Sequence, residues 1–356
     1  MKHVYRMIFM SLFLGLYTAL VMSASAYAEL GYFRQPAVSG DTLVFVAEGD
    51  LWRANIAGGV AQRLTTHPSE ESNPAISPDG KWVAFTGRYE GPAEVYVMPI
   101  SGGQPTRLTF EGDTARVQGW TPDGKVIYAT ARYSGKPMMR LYTVDVNTRM
   151  SLPIPLAEAG EGCFLRNYSS GNNRQDGSPL YFTRQPLNSD NVKRYQGGLV
   201  QQIWKFEAGA NHKTEKKTEN HSEAILLTGD YKGTSRQPMC GNGRLYFLSD
   251  REGSFNLWSM DANGGDLAQH TKYQEFDIRG ASIAADGKTI AYQRGADIYV
   301  FDTASRADKK LSITLQSDFE HTRTRWVKTP WDFVSQIEAS PNGDRVASPC
   351  GCRSSN

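Results

Sequence analysis

The sequence predicts an all-β protein, a six-bladed β-propeller preceded by a signal peptide. Three observations predict it. A Pro-Asp-Gly turn recurs with a spacing of 44 residues between its first two copies. Alternating, aromatic-rich runs follow each turn. Helix signals are nearly absent after the first 28 residues.

The turn copies fix the blades. Ser77-Pro78-Asp79-Gly80-Lys81 precedes Trp82-Val83-Ala84-Phe85-Thr86, and Thr121-Pro122-Asp123-Gly124-Lys125 precedes Val126-Ile127-Tyr128-Ala129-Thr130. Ala285-Asp286-Gly287-Lys288 and Ser340-Pro341-Asn342-Gly343-Asp344 start the same pattern. Weaker copies begin at Asp176-Gly177 and Gly241-Asn242-Gly243. Proline sets φ at the first corner of such a turn and glycine supplies the positive φ. A second element follows: Asp50-Leu51-Trp52, Ala93 to Met98 and Asn256 to Asp261 each lead to a Gly-Gly hairpin and then to Arg63-Leu64-Thr65, Arg107-Leu108-Thr109 or Gln269-His270-Thr271. Four strands per unit at this period is the blade pattern. Counting turns places six blades between Phe33 and Lys328. The apolar-free run Asn211 to Glu223 reads as an exposed excursion from the fourth blade.

Residues 1–28 are a separate object. Lys2 and Arg6 precede the uncharged apolar run Met7 to Met22, and Ala26-Tyr27-Ala28 is a small-x-small cleavage site. This is a secretory signal peptide, and the expected location is the periplasm or the exterior. Its removal takes two of the 39 basic residues and none of the 37 acidic ones, leaving 37 of each. So balanced a chain gives no reason to expect nucleic acid as a partner, and no second apolar run is long enough for a membrane span. An exported chain could pair its cysteines, Cys163, Cys240, Cys350 and Cys352; the sequence leaves the state of Cys163 and Cys240 open. Cys350 and Cys352, one residue apart, suit neither a redox CxxC nor a zinc knuckle.

The chain carries no G-x-S-x-G elbow, H-E-x-x-H motif or phosphate loop, so no catalytic residue, metal ligand or cofactor is assigned. His270 stands where the repeat has leucine, which gives it a structural role. Asp79, Asp123 and Asp286 belong to their turns. Trp52, Trp82, Trp204 and Trp258 fall within strands and are expected to pack between blades.

Taken with its details, the repeat resembles the N-terminal six-bladed propeller of tricorn-type proteases. Gly49-Asp50-Leu51-Trp52, Tyr195-Gln196-Gly197-Gly198 with Ile203-Trp204, Asp250 to Asp261 with Asp266 to Thr271, and Ala296 to Phe301 carry the likeness, which runs from Gly31 to Ala347. The S-P-D-G turn is shared more widely, with TolB-like propellers. The resemblance implies propeller 29–328, the start of a second propeller over 329–347, and an aberrant tail over 348–356. It also implies a peptidase region, a PDZ domain and Ser-His catalysis that nothing in this chain matches, so a truncated or frameshifted product is the expectation. In that family the six-bladed unit is a passage that positions peptide C-termini through basic residues before the third blade. The matching loop, Glu111 to Val117, holds Arg116 in place of a pair. Arg116 is therefore the substrate-binding residue that the resemblance implies, and peptides, other protein domains and further copies of a parent enzyme are the implied partners. The alternative is a stand-alone periplasmic TolB-like propeller acting as a binding or scaffold module. A propeller enzyme with its site in the channel would need convergent acid–base or metal ligands.

Overall fold

A computed structural model describes residues 32–135, 138–165, 178–184, 192–207, 224–317, 329 and 337–347. The signal peptide, the turn at Asp176-Gly177, the polar excursion, the tail, and with them His212, His221, His321, Cys350 and Cys352, lie outside the described residues. The chain divides into two units, Met1–Gln316 and Ser317–Asn356.

Among the described residues the first unit holds six consecutive antiparallel blades. Blade 1 is β1 (Arg34–Ser39), β2 (Thr42–Ala47), β3 (Asp50–Asn55) and β4 (Gly59–Arg63). Blade 2 is β5 (Glu71–Ile76), β6 (Trp82–Gly87), β7 (Glu94–Pro99) and β8 (Thr106–Arg107). Blade 3 is β9 (Ala115–Trp120), β10 (Val126–Thr130), β11 (Arg140–Val144) and β12 (Ser151–Pro153). Blade 4 is β13 (Glu161–Phe164), β14 (Leu180–Thr183), β15 (Ile203–Phe206) and β16 (Ile225–Leu226). Blade 5 is β17 (Ser235–Gly241), β18 (Arg244–Ser249), β19 (Asn256–Asp261) and β20 (Ala268–Gln269). Blade 6 is β21 (Ile278–Ile283), β22 (Thr289–Arg294), β23 (Asp297–Asp302) and β24 (Asp308–Lys310). A further strand, β25 (Ile313–Leu315), lies parallel to β4 and makes blade 1 five-stranded. The second unit contains the hairpin β26 (Glu338–Ala339) and β27 (Val346–Ala347).

The period-two alternation explains why the blades close into a ring. In β2, Leu43, Phe45 and Ala47 join the core shared with blade 6, while Val44 and Val46 join the core shared with blade 2. Each second strand does the same: Val83 and Phe85 face back and Ala84 forward, and Tyr181 faces forward from between Leu180 and Phe182. A strand buried on both faces must be apolar at every position. The result is six apolar clusters, one at each of the six seams.

The Arg-Leu-Thr repeat also has a physical cause. Thr109 Oγ1 accepts from Val95 N at 2.9 Å and donates to Glu94 at 2.5 Å, tying the outer strand to the third. Thr65 accepts from Leu51 N, and Thr271 accepts from Leu257 N and donates to Asn256. Arg107 pairs with Glu94 and Arg63 with Asp50. In blade 5 the acid has become Asn256 and the arginine Gln269, so charge is lost from both partners together.

The central channel as candidate functional site

The first strand of each blade is the innermost. These strands touch in the order β1, β5, β9, β13, β17, β21 and back to β1. Five of the six carry a bulge; β13 does not. A bulge frees backbone groups from the ladder, and here the neighbouring blade captures them. Asn73 N donates to Gln35 Oε1 at 2.7 Å, Val117 N to Thr86 Oγ1 at 2.9 Å, and Gln237 N to Glu161 Oε2 at 2.9 Å. At the seam between blades 6 and 1, Phe33 N donates to Ala296 O at 3.0 Å.

Arg116 lies in this wall. The sequence placed it in a loop; the structure places it in β9, opposite Ala129 of β10, because the innermost strand begins at Ala115. It is half-buried and makes no hydrogen bond or ion pair with a described residue.

A buried acid stands between blades 1 and 2. Glu71 accepts from Tyr89 Oη at 2.7 Å and from Thr65 Oγ1 at 2.9 Å. Burial pushes its carboxyl up to about 8, against the pull of those two hydroxyls and with a further push from Asp50. Glu71 therefore carries a proton at neutral pH.

One serine and histidine do meet. Ser259 Oγ lies 2.8 Å from His270 Nε2 and accepts from Arg244 Nε and Nη2 at 3.2 and 3.1 Å. With its lone pairs on the guanidinium, the hydroxyl gives its proton to the imidazole. Burial, then the charges of Arg306 and Arg244, push His270 down to about 4. A nucleophile pair needs a carboxylate behind the histidine and an accessible oxygen. Here arginines stand nearby and Ser259 is 0 % exposed, so the pair is structural. Among the described residues no group of three or more His, Cys, Asp or Glu is placed to hold a metal ion.

The tryptophans divide. Trp52 and Trp258 fill seams, and Trp204 packs partly buried between blades 3 and 4. Trp82 differs from the expectation: it opens β6 at the exposed end of the strand, 37 % accessible. The turn aspartates hold their loops as expected: Asp79 accepts from Ser77 Oγ and Lys81 N, and Asp286 from Lys288 N.

Sequence reasoning left the state of Cys163 and Cys240 open. They form a disulfide between β13 and β17, Cα atoms 5.8 Å apart across 77 residues. Both fall in innermost strands of consecutive blades, a coincidence visible only once those strands are aligned.

Comparison with known proteins gives three findings. The model of the tricorn protease N-terminal β-propeller domain matches residues 30–307. A tricorn protease homologue of Saccharolobus solfataricus is 29% identical over 327 residues, covering 90% of this chain but 28% of its own length. Among solved structures, the tricorn protease superposes with a TM-score of 0.70 at 22% identity, over 90% of this chain and 29% of that one. TolB from Acinetobacter baumannii gives 0.52 at 15% identity, over 79% and 62% of the two chains. At these identities the structural likenesses speak for the fold.

Proposed function

The chain belongs to the family of tricorn protease N-terminal β-propeller domains, and on that footing we propose that it is a non-catalytic propeller that receives and positions peptides for a tricorn-like serine peptidase. The observation that carries this is the channel wall. It is a continuous ring of six innermost strands with half-buried, unpaired Arg116 in it, and the Ser259–His270 pair lies outside that ring, in the outer half of blade 5, and is sealed. The chain spans less than a third of the curated relative's length, so cleavage belongs to other parts of such a machine.

Two further readings go with it. Export to the periplasm or the exterior is supported by the Lys2 to Ala28 pattern and by the Cys163–Cys240 disulfide, a bond that persists in oxidising compartments. The partners would be unfolded peptides and the peptidase domains, with further copies joining through the parent enzyme. The TolB likeness in fold keeps the scaffold role as the competing function.

The test is fluorescence anisotropy of the purified chain with dye-labelled unstructured peptides, followed by chromatography of the same samples. Saturable binding with the peptides recovered intact is expected. Absence of binding by any peptide, or cleavage abolished by a serine-directed reagent, overturns the reading.

A further inference from the structure

Four innermost strands share a strained position. In β1, β5, β17 and β21 a single second-strand residue, Phe45, Phe85, Phe247 or Tyr292, stands opposite the two residues of the bulge. The first of those two is Gln35, Asn73, Gln237 or Gly280, with φ of 48°, 52°, 51° and 54°. A bulge of this shape ordinarily takes glycine there, and blade 6 follows that rule. Blades 1, 2 and 5 place a side-chain amide there instead, followed each time by a proline, Pro36, Pro74 or Pro238. A residue before proline is pushed toward extended backbone, so the left-handed conformation is doubly unfavourable at these three.

Ring closure accounts for only half of each amide. Gln35 Oε1 accepts from Asn73 N at 2.7 Å and Gln237 Oε1 from Ala281 N at 3.4 Å, so each oxygen holds the next blade. That task asks for an oxygen alone. Thr86 Oγ1 performs it between blades 2 and 3, and Glu161 Oε2 between blades 4 and 5. An amide brings an NH2 group as well, two donors for which ring closure has no use. The side chains of Gln35 and Gln237 make no other hydrogen bond with a described residue, and that of Asn73 makes none.

The three amides are half-buried, whereas the prolines after them are buried. Neighbouring blades cover both faces of an innermost strand and its own second strand covers one edge, so the edge left open is the channel's. Blades 5, 6, 1 and 2 follow one another around the ring, which sets the amides in one arc with Gly280 between Gln237 and Gln35. A Cβ at Gly280 would lie 3.1 Å from Gln35 Cα, so blade 6 has no room for an amide there. Proline has no N–H. The second bulge residue of blades 1, 2 and 5 therefore offers no main-chain donor, and the NH2 groups supply donors at this height.

We propose that Gln35, Asn73 and Gln237 form a neutral amide arc in the channel wall that binds the main chain of an extended peptide, their NH2 groups donating to its carbonyl oxygens. This rests on the peptide-handling reading and adds a mode of recognition to it. An extended chain presents a carbonyl at every residue, whatever its side chains. Neutral donors engage those oxygens without selecting for charge, so the arc takes peptides by backbone and leaves sequence unread.

Uncharged peptides with acetylated and amidated ends isolate the arc. A Gly/Ser peptide and an Ala/Thr peptide of equal length should bind the purified chain with similar affinity, and added salt should weaken neither. Asn73→Gly should weaken both about fivefold, the scale of one neutral hydrogen bond. Glycine accepts the positive φ without strain, so the melting temperature should hold. Gln35→Glu with Gln237→Glu keeps an oxygen for Asn73 N and Ala281 N, as Glu161 does for Gln237 N, and removes the donors. It should weaken both peptides about tenfold, again with the melting temperature held. Affinity untouched by Asn73→Gly or by the double variant, binding of one sequence alone, or binding lost to salt overturns the arc while peptide handling stands. So does failure of the blocked peptides where peptides with a free C-terminus bind. A neutral maltooligosaccharide that competes as strongly as the peptides overturns the main-chain assignment in favour of a glycan site. Failure of every peptide to bind the unaltered chain overturns the peptide-handling reading itself.

Discussion

Two seams of the ring are closed by different means. Between blades 6 and 1 the last blade meets the first, and the joint is apolar: thirteen buried residues, from Phe33 and Phe45 to Ile298 and Ile313, form one cluster. The strand β25 then straps the outside, lying parallel to β4 so closely that Gly58 leaves no room for a Cβ beside Ser312 O. Between blades 4 and 5 the chain is continuous and the apolar cluster is smaller, seven buried residues. There a disulfide joins the innermost strands. Where the ring begins and ends, packing area does the closing; where packing is thinner, a covalent bond supplements it.

Truncating each joint should separate the two strategies. Phe45 is fully buried and edge-on to Phe33, with ring centroids 5.2 Å apart. Phe45→Ala should cost about 4 kcal/mol through lost transfer energy and an unfilled cavity, read as a shifted denaturant midpoint. It should do so equally in oxidised and reduced protein. Cys163→Ser with Cys240→Ser should cost about 3 kcal/mol, mostly by freeing the unfolded chain. Added reductant should lower the parent to the variant's stability and leave the variant where it is. If reductant changes nothing in the parent, the seam at blades 4 and 5 is held by packing alone and the contrast is lost.

Much of this fold was legible because blade physics is local. A Pro-Asp-Gly corner and the alternating run after it declare themselves within ten residues, and blades 2 to 6 carry some copy of that pair. What was not legible depends on register between distant strands. Cys163 and Cys240 are unremarkable until β13 and β17 lie side by side. The strap Ile313–Leu315 is three residues with no turn of its own. Trp82 was misread for a related reason: alternation assigns a face, but the end of a strand can lie beyond the reach of the next blade.

The seam between blades 1 and 2 adds a third kind of joint, an ionisable one, and pH tests it. Glu71 has its carboxyl raised in the folded state, so the folded protein holds more protons than the unfolded chain between the ordinary carboxyl range and about 8. Stability from this group is full below that range and is lost as pH rises through 8. His270, depressed to about 4, has the opposite sign: its contribution is full above about 6.5 and is lost as pH falls through 4. Stability should therefore drop by about 2 kcal/mol between pH 6 and 8 from Glu71 alone. Glu71→Gln should flatten that drop in urea titrations at the two pH values, and Cys163→Ser with Cys240→Ser should not. An unchanged slope in the glutamine variant would remove Glu71 as its source.

The smallest effect concerns the threonine that ties third to fourth strand within a blade, since it should be indifferent to how the seams are closed. Thr109 donates to a carboxylate that Arg107 also holds, whereas Thr271 donates to the neutral amide of Asn256. Hydrogen bonds to charged groups contribute about 1.5–3 kcal/mol and neutral ones about 1. Thr109→Val also takes one of the hydrogen bonds from a buried carboxylate, Glu94 being 0 % exposed, and leaves it to Arg107 and Gly112 N. It should therefore cost about 1 kcal/mol more than Thr271→Val, and that difference should persist in reduced protein, where the neighbouring disulfide is gone. Equal costs for the two would mean that the amide pair of blade 5 replaces the ion pair of blade 2 without loss. A difference that vanished on reduction would tie Thr271 to the seam and not to its own blade.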